Sequence, residues 1–181
     1  VRICQFNVEN LYLLLDTYDG KPIESITEEE WQSYSFSTTQ QNKPLQDLDG
    51  VKRAIENIDA DVYALCEVGG LESLKNFNKL FLGGKYDIHI ASGNSKRGLC
   101  VGYLTKPDKY TFSTVSNKNY RTEKGRFCRD VYELHIKEDG KLKLVTMLTH
   151  LKSKRSSEED YMGMTKRRAE ADTMIELYRI R

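Results

Sequence analysis

The sequence predicts an α/β fold of the α+β kind built on mixed sheets, and three observations carry that expectation. Short, apolar, strand-like runs at residues 3–8 and 61–67 alternate with amphipathic helical stretches. After residue 86 the hydrophobic period falls from 3.6 to two, with turn-rich breaks suited to hairpins. A last helical stretch closes the chain, so helices flank grouped strands rather than alternating with them throughout.

Each element has its own local reason. Residues 3–8 form a buried strand. Residues 10–43 read as irregular, with one helix start where Thr27 and Glu30 make a capping box ahead of Trp31. Leu45, Leu48, Val51, Ile55 and Ile58 recur at helical spacing, and this helix ends near Asp59. Residues 61–67 hold the unbroken run Val62-Tyr63-Ala64-Leu65-Cys66. Leu71, Leu74, Phe77, Leu80 and Phe81 mark a short helix stopped by Gly83-Gly84. Residues 86–91 and 99–105 are strands joined by the turn-rich 92–96. Residues 127–136 and 142–148 form a second hairpin across Glu138-Asp139-Gly140. The final helix starts near Ser156, where Ser156 and Glu159 make a capping box, and runs through Met164, Arg168, Ala171 and Ile175.

Composition bounds the function. With 181 residues, 39% hydrophobic and 30% charged, the chain suits one domain and not a disordered segment. No apolar run approaches the roughly eighteen residues of a membrane span, and no targeting segment is visible ahead of the first strand. The net charge of +1 hides an asymmetry, −7 over residues 1–95 and +8 over 96–181. Such a division suits a site where a cation meets an anionic substrate, or simply two solvated faces. Cys4, Cys66, Cys100 and Cys128 are widely spaced inside apolar runs without a C-x-x-C pair. They read as buried free thiols, which favours a reducing, cytoplasmic compartment and leaves a processed secreted form open.

Three of the strands end in a polar group. Asn7 closes the first, Glu67 the second and His150 the run 144–149. If these strands share a sheet edge, the three residues converge there. Amide and carboxylate oxygens are the hard ligands Mg²⁺ prefers, and a neighbouring histidine can orient a phosphate or move a proton. Singly, Glu67 could pair with an arginine, Asn7 cap a turn and His150 sit satisfied in the core. His89 and His135 lie among charged neighbours and read as solvent-facing. No nucleophile elbow, P-loop or dinucleotide fingerprint is present.

Phe6-Asn7-Val8-Glu9-Asn10-Leu11 and Asp59-Ala60-Asp61-Val62-Tyr63-Ala64-Leu65-Cys66-Glu67-Val68 resemble the first two motifs of the endonuclease/exonuclease/phosphatase superfamily. Residues 97–104 resemble its central glycine-bearing strand. Thr149-His150-Leu151-Lys152-Ser153-Lys154 resembles its histidine motif, and Lys166-Arg167-Arg168-Ala169-Glu170-Ala171 its Arg-rich helix. The resemblance covers nearly the whole chain in family order. It implies a deoxyribonuclease I-like four-layer α/β sandwich and divalent-metal-dependent phosphodiester hydrolysis, with a nuclease first and a phosphatase or sphingomyelinase as alternatives. Mg²⁺, or Mn²⁺ or Ca²⁺, would be held by Glu67 and Asn7, and His150 would hold the scissile phosphate. The partner would be nucleic acid or another phosphate ester.

The departures from the family are as informative. The G-D-x-N motif and the C-terminal S-D-H motif are missing, and His150 is the last histidine. The resemblance therefore implies an enzyme domain whose C-terminal part is missing, with residues 1–181 inactive by themselves. A non-catalytic binding module of the same fold is the rival reading. Arg97, Arg126, Arg129, Lys152, Lys154 and Arg155 are candidate phosphate contacts, or else a solvated surface. Of these Arg129, beside Asp130 in an apolar run, leans most toward a structural role. The long 10–43 segment is expected to wall part of the cleft.

Overall fold

In a computed structural model that describes residues 1–154 and 157–181, the chain is a mixed α/β structure with several sheets and four α-helices among those residues. The first half holds β1 (Ile3–Leu11), α1 (Glu28–Ser33), α2 (Leu45–Ile58), β2 (Val62–Val68), α3 (Leu71–Phe81), β3 (Asp87–Ala91) and β4 (Cys100–Thr105). The second holds β5 (Thr111–Ser116), β6 (Arg121–Thr122), β7 (Gly125–Arg126), β8 (Tyr132–Glu138), β9 (Lys141–Leu148) and α4 (Met164–Arg179).

The larger sheet has the order β1-β2-β4-β3. Strands β1 and β2 are parallel, which requires a crossover, and α2 supplies it. Strand β4 runs antiparallel to both its neighbours, so β3 and β4 are the expected first hairpin. The unbroken apolar run of β2 reflects burial on both faces. Tyr63 and Leu65 pack with Leu48, Val51 and Ile55 of α2 and with Leu74 and Phe77 of α3. Val62, Ala64 and Cys66 face the opposite way, against Tyr132, Leu134 and Ile136 of a second sheet, β5-β8-β9. Beyond that sheet, Leu177 of α4 closes on Phe127, Val131 and Met147. Two helices, a sheet, a second sheet and a helix thus follow one another through the molecule.

The differences from expectation have local causes. Strand β8 begins at Tyr132 rather than at 127, because Phe127 and Val131 turn inward to the α4 cluster. Cys128 consequently lies in an irregular segment, not a strand. Strand β5 was not foreseen; its T-F-S-T-V-S sequence is polar at four of six positions and half-exposed. Helix α4 begins at Met164, and Asp160 caps it by accepting the N–H groups of Thr165 (2.9 Å) and Lys166 (3.0 Å). The expected cap at Ser156, like Arg155, lies outside the described residues. The 10–43 segment is packed rather than loose. Trp31 is fully buried and donates to the Lys43 carbonyl at 3.0 Å, while Asn42 bonds both the N–H and the carbonyl of Leu14. Thr27 caps α1 as expected. Among the described residues no helix is long and apolar enough to cross a membrane.

Candidate active site

The ends of β1 and β2 break their own ladders at one place. Asn7 pairs with Cys66, and the next registered pair is Leu11 with Val68, so residues 8–10 stand opposite Glu67 alone. The β2–β4 ladder skips at Glu67 too. Glu67 (φ +64°), Glu9 (φ +47°) and Asn10 (φ +56°) are left-handed, a conformation costing a non-glycine residue about 1–2 kcal/mol. A bulge re-aims a side chain, and it does so here for the carboxylate. Asn7 sits just before the irregularity. By strand alternation it shares the face of Ile3 and Gln5, which is turned toward the second sheet. Its Oδ1 accepts the Glu9 N–H at 2.9 Å and so fixes the kink.

His150 reaches the same corner from the other sheet, two residues beyond β9. The Cys66 thiol contacts the preceding Thr149 carbonyl at 3.9 Å. His150 Nε2 lies 3.7 Å from Glu67 Oε1, near enough for charge interaction but too far for a hydrogen bond. Burial pushes the imidazole below the ordinary histidine value, the Arg129 guanidinium adds to this, and the Glu67 and Glu170 carboxylates oppose it.

The corner is short of partners. The Glu67 side chain is only 20% exposed, yet among the described residues nothing hydrogen-bonds its carboxylate. Three other buried polar atoms here, His150 Nδ1, Thr149 Oγ1 and Arg129 Nε, have no partner among those residues. Two carboxylates elsewhere provide the contrast. Glu133 is fully buried and is bonded by His135 (2.9 Å), Asn117 (2.8 Å) and Arg181 (2.9 Å). Glu170, also fully buried, accepts the N–H groups of Cys128 and Lys152, each at 2.7 Å.

Two residues have contacts that their sequence context concealed. Asp130 bonds Ser116 and Asn117, and the charge of the neighbouring Arg129 bears on His150 and Cys66. Glu170 ties the 127–131 segment to the loop after His150 by accepting the Cys128 and Lys152 N–H groups. The same contact helps push the Cys128 thiol up to about 11, after burial as the larger cause. Glu170 lies within the Arg-rich motif without being singled out by it, and its full burial is a signal that only the fold exposes.

The remaining candidates divide. Arg97 is exposed on the rim, where its Nη2 donates to Asn10 Oδ1 at 2.7 Å. Its carbonyl accepts from Tyr12 (2.6 Å) and Gln40 (3.2 Å), which brings the 10–43 segment to this rim. Lys152 follows the histidine and lends its backbone N–H to Glu170. Lys154 is exposed, and Arg126 is exposed on a separate two-stranded ribbon. His89 and His135 are not solvent-facing. His89 is half-buried against Thr105 (3.0 Å), and His135 bonds Glu133. All four cysteines are free, but only Cys66 and Cys100 are buried.

Among the described residues no three His, Cys, Asp or Glu side chains gather into a ready-made cage. The donors at this corner nonetheless suit Mg²⁺, which takes one or two protein oxygens and keeps its water. Glu67 could offer such an oxygen through its mostly buried carboxylate, and Asn7 through an Oδ1 that already accepts the Glu9 N–H. The chain matches no protein-family model and no curated protein sequence.

Proposed function

We propose that this corner is the metal- and phosphate-binding part of a divalent-metal-dependent phosphodiesterase with a deoxyribonuclease I-like fold, most closely a nuclease. The observation that carries the reading is Glu67, a strained, mostly buried carboxylate without a hydrogen bond. The succession of two helices, sheet, sheet and helix supports the fold assignment. A bound divalent ion supplies Lewis acidity toward a phosphoryl oxygen. Glu67 holds that ion, with Asn7 beside it. Arg129 offers an unused buried Nε–H to a phosphate oxygen, and His150, neutral at neutral pH, orients the phosphate through a ring N–H. Glu170 holds the Arg129 and His150 segments at a fixed separation.

Calorimetric titration with Mg²⁺ tests this directly. One ion should bind the chain, and Glu67→Gln should abolish binding; equal binding by the variant sinks the assignment. A binding module without turnover is the second reading, and it predicts that duplex DNA, RNA, sphingomyelin and inositol phosphates stay intact in Mg²⁺. Turnover that depends on Glu67 would eliminate the second reading.

A further inference from the structure

The ribbon β6–β7 breaks a rule of strand pairing. Arg121 and Arg126 are direct cross-strand partners, and such partners project from the same face with their Cβ atoms close together. Like charges in that position destabilise a ribbon. Among the described residues neither guanidinium has a hydrogen-bond or carboxylate partner, and Glu123, the acid of the intervening turn, pairs with neither. Over residues 118–126 the charges are Lys118, Arg121, Lys124 and Arg126 against Glu123, a net of +3 in nine residues. Tyr120 is exposed within the same run.

The ribbon is held rigidly while its cations face outward. Thr122 Oγ1 donates to the Gly125 carbonyl at 2.7 Å and accepts the Lys124 N–H at 3.0 Å, which locks the turn. Lys166 of α4 donates to the Lys124 carbonyl (2.8 Å) and to that of Arg126. At the base, Asn94 donates to the Lys118 (2.8 Å) and Phe127 (3.1 Å) carbonyls. The next residues are Cys128, held by Glu170, and Arg129 at the candidate site. Three residues span at most about 11 Å, so Arg126 stands within that backbone distance of Arg129.

We propose that Arg121 and Arg126 form a phosphate clamp that docks the backbone of a nucleic acid strand beside the candidate site, with Tyr120 available to stack on a base. The proposal rests on the phosphodiesterase reading of the neighbouring corner and narrows it to a polymeric substrate. A small phosphate ester has no second phosphate for a clamp outside the site. The pair is kept apart from carboxylates because an incoming phosphate takes their place.

Fluorescence anisotropy of a labelled oligonucleotide, in EDTA and across a salt series, isolates docking from metal binding. The double variant Arg121→Gln/Arg126→Gln should lose at least about tenfold in affinity at low salt, and its log K versus log[salt] slope should flatten by about 1.4–1.8. Arg121→Glu should weaken oligonucleotide binding while raising the thermal midpoint, because it turns a repulsive pair into an attractive one. That opposite movement separates docking from misfolding. Unchanged affinity and slope in the double variant overturn the clamp. So does retention by phosphatidylserine vesicles without oligonucleotide binding. Because no metal is present, loss of docking is independent of whether Glu67 binds Mg²⁺.

Discussion

Two sets of polar residues handle burial in opposite ways. Under α4, Glu133 and Glu170 are fully buried and every carboxylate bond is met by Asn117, His135, Arg181 or a backbone N–H. At the ends of β1 and β2, Glu67 is mostly buried and meets none, and His150, Thr149 and Arg129 hold unpartnered atoms around it. Burial of charge is the same problem in both places. The saturated cluster solves it within the chain and serves the fold. The other leaves it unmet, which under the proposed function is the place for a ligand, and adds left-handed backbone at Glu9, Asn10 and Glu67. Unmet bonding capacity and strain together distinguish a site from a structural network.

Substitutions should sharpen this contrast. The largest effect is expected at Glu133→Ala, which removes a fully buried carboxylate and leaves the half-buried His135 and Asn117 without it, and should cost about 3 kcal/mol in chemical denaturation. Glu170→Ala should follow at about 2 kcal/mol by leaving two half-buried N–H groups without their acceptor, and it should also weaken Mg²⁺ binding by loosening the His150 segment. Acid should attack the saturated cluster first. Burial pushes the Glu133 carboxyl up, but the His135, Asn117 and Arg181 bonds outweigh it and hold the group below its ordinary value. Its stabilising contribution is therefore complete above the unfolded glutamate value near 4.3 and is lost as pH falls through the folded one. Denaturation midpoints from pH 6 to 3 should drop less for Glu133→Gln than for the parent chain. The smallest effect has the opposite sign. Glu67→Gly relieves a left-handed non-glycine and breaks no hydrogen bond seen among the described residues, so it should raise stability by about 1 kcal/mol while abolishing the proposed Mg²⁺ binding.

What the amino-acid sequence discloses follows from how local each feature is. The apolar runs of β2 and α2 announce themselves, as does a polar residue at the mouth of each central strand. Arg129 does not, because Asp130 beside it looks like its partner and only the fold sends that aspartate to Ser116 and Asn117. His135 lies on the outward face of β8 as its neighbours suggest. That face is covered from a distance by Arg181, 46 residues on, through their shared Glu133. Strands β6 and β7 have two residues each, too few for any period, and the opposition of Arg121 and Arg126 exists only in their register. Glu170 is lost in a helix whose neighbours are cations.

The central claim is that the unsatisfied corner, and not the saturated cluster, receives a divalent ion. Paramagnetic broadening by Mn²⁺ added below one equivalent tests it most directly, read at the ring protons of the three histidines. The account predicts that His150 broadens first and that Glu67→Gln protects it, with His89 and His135 unaffected. Broadening at His135 beside Glu133, or equal broadening of all three, would contradict it.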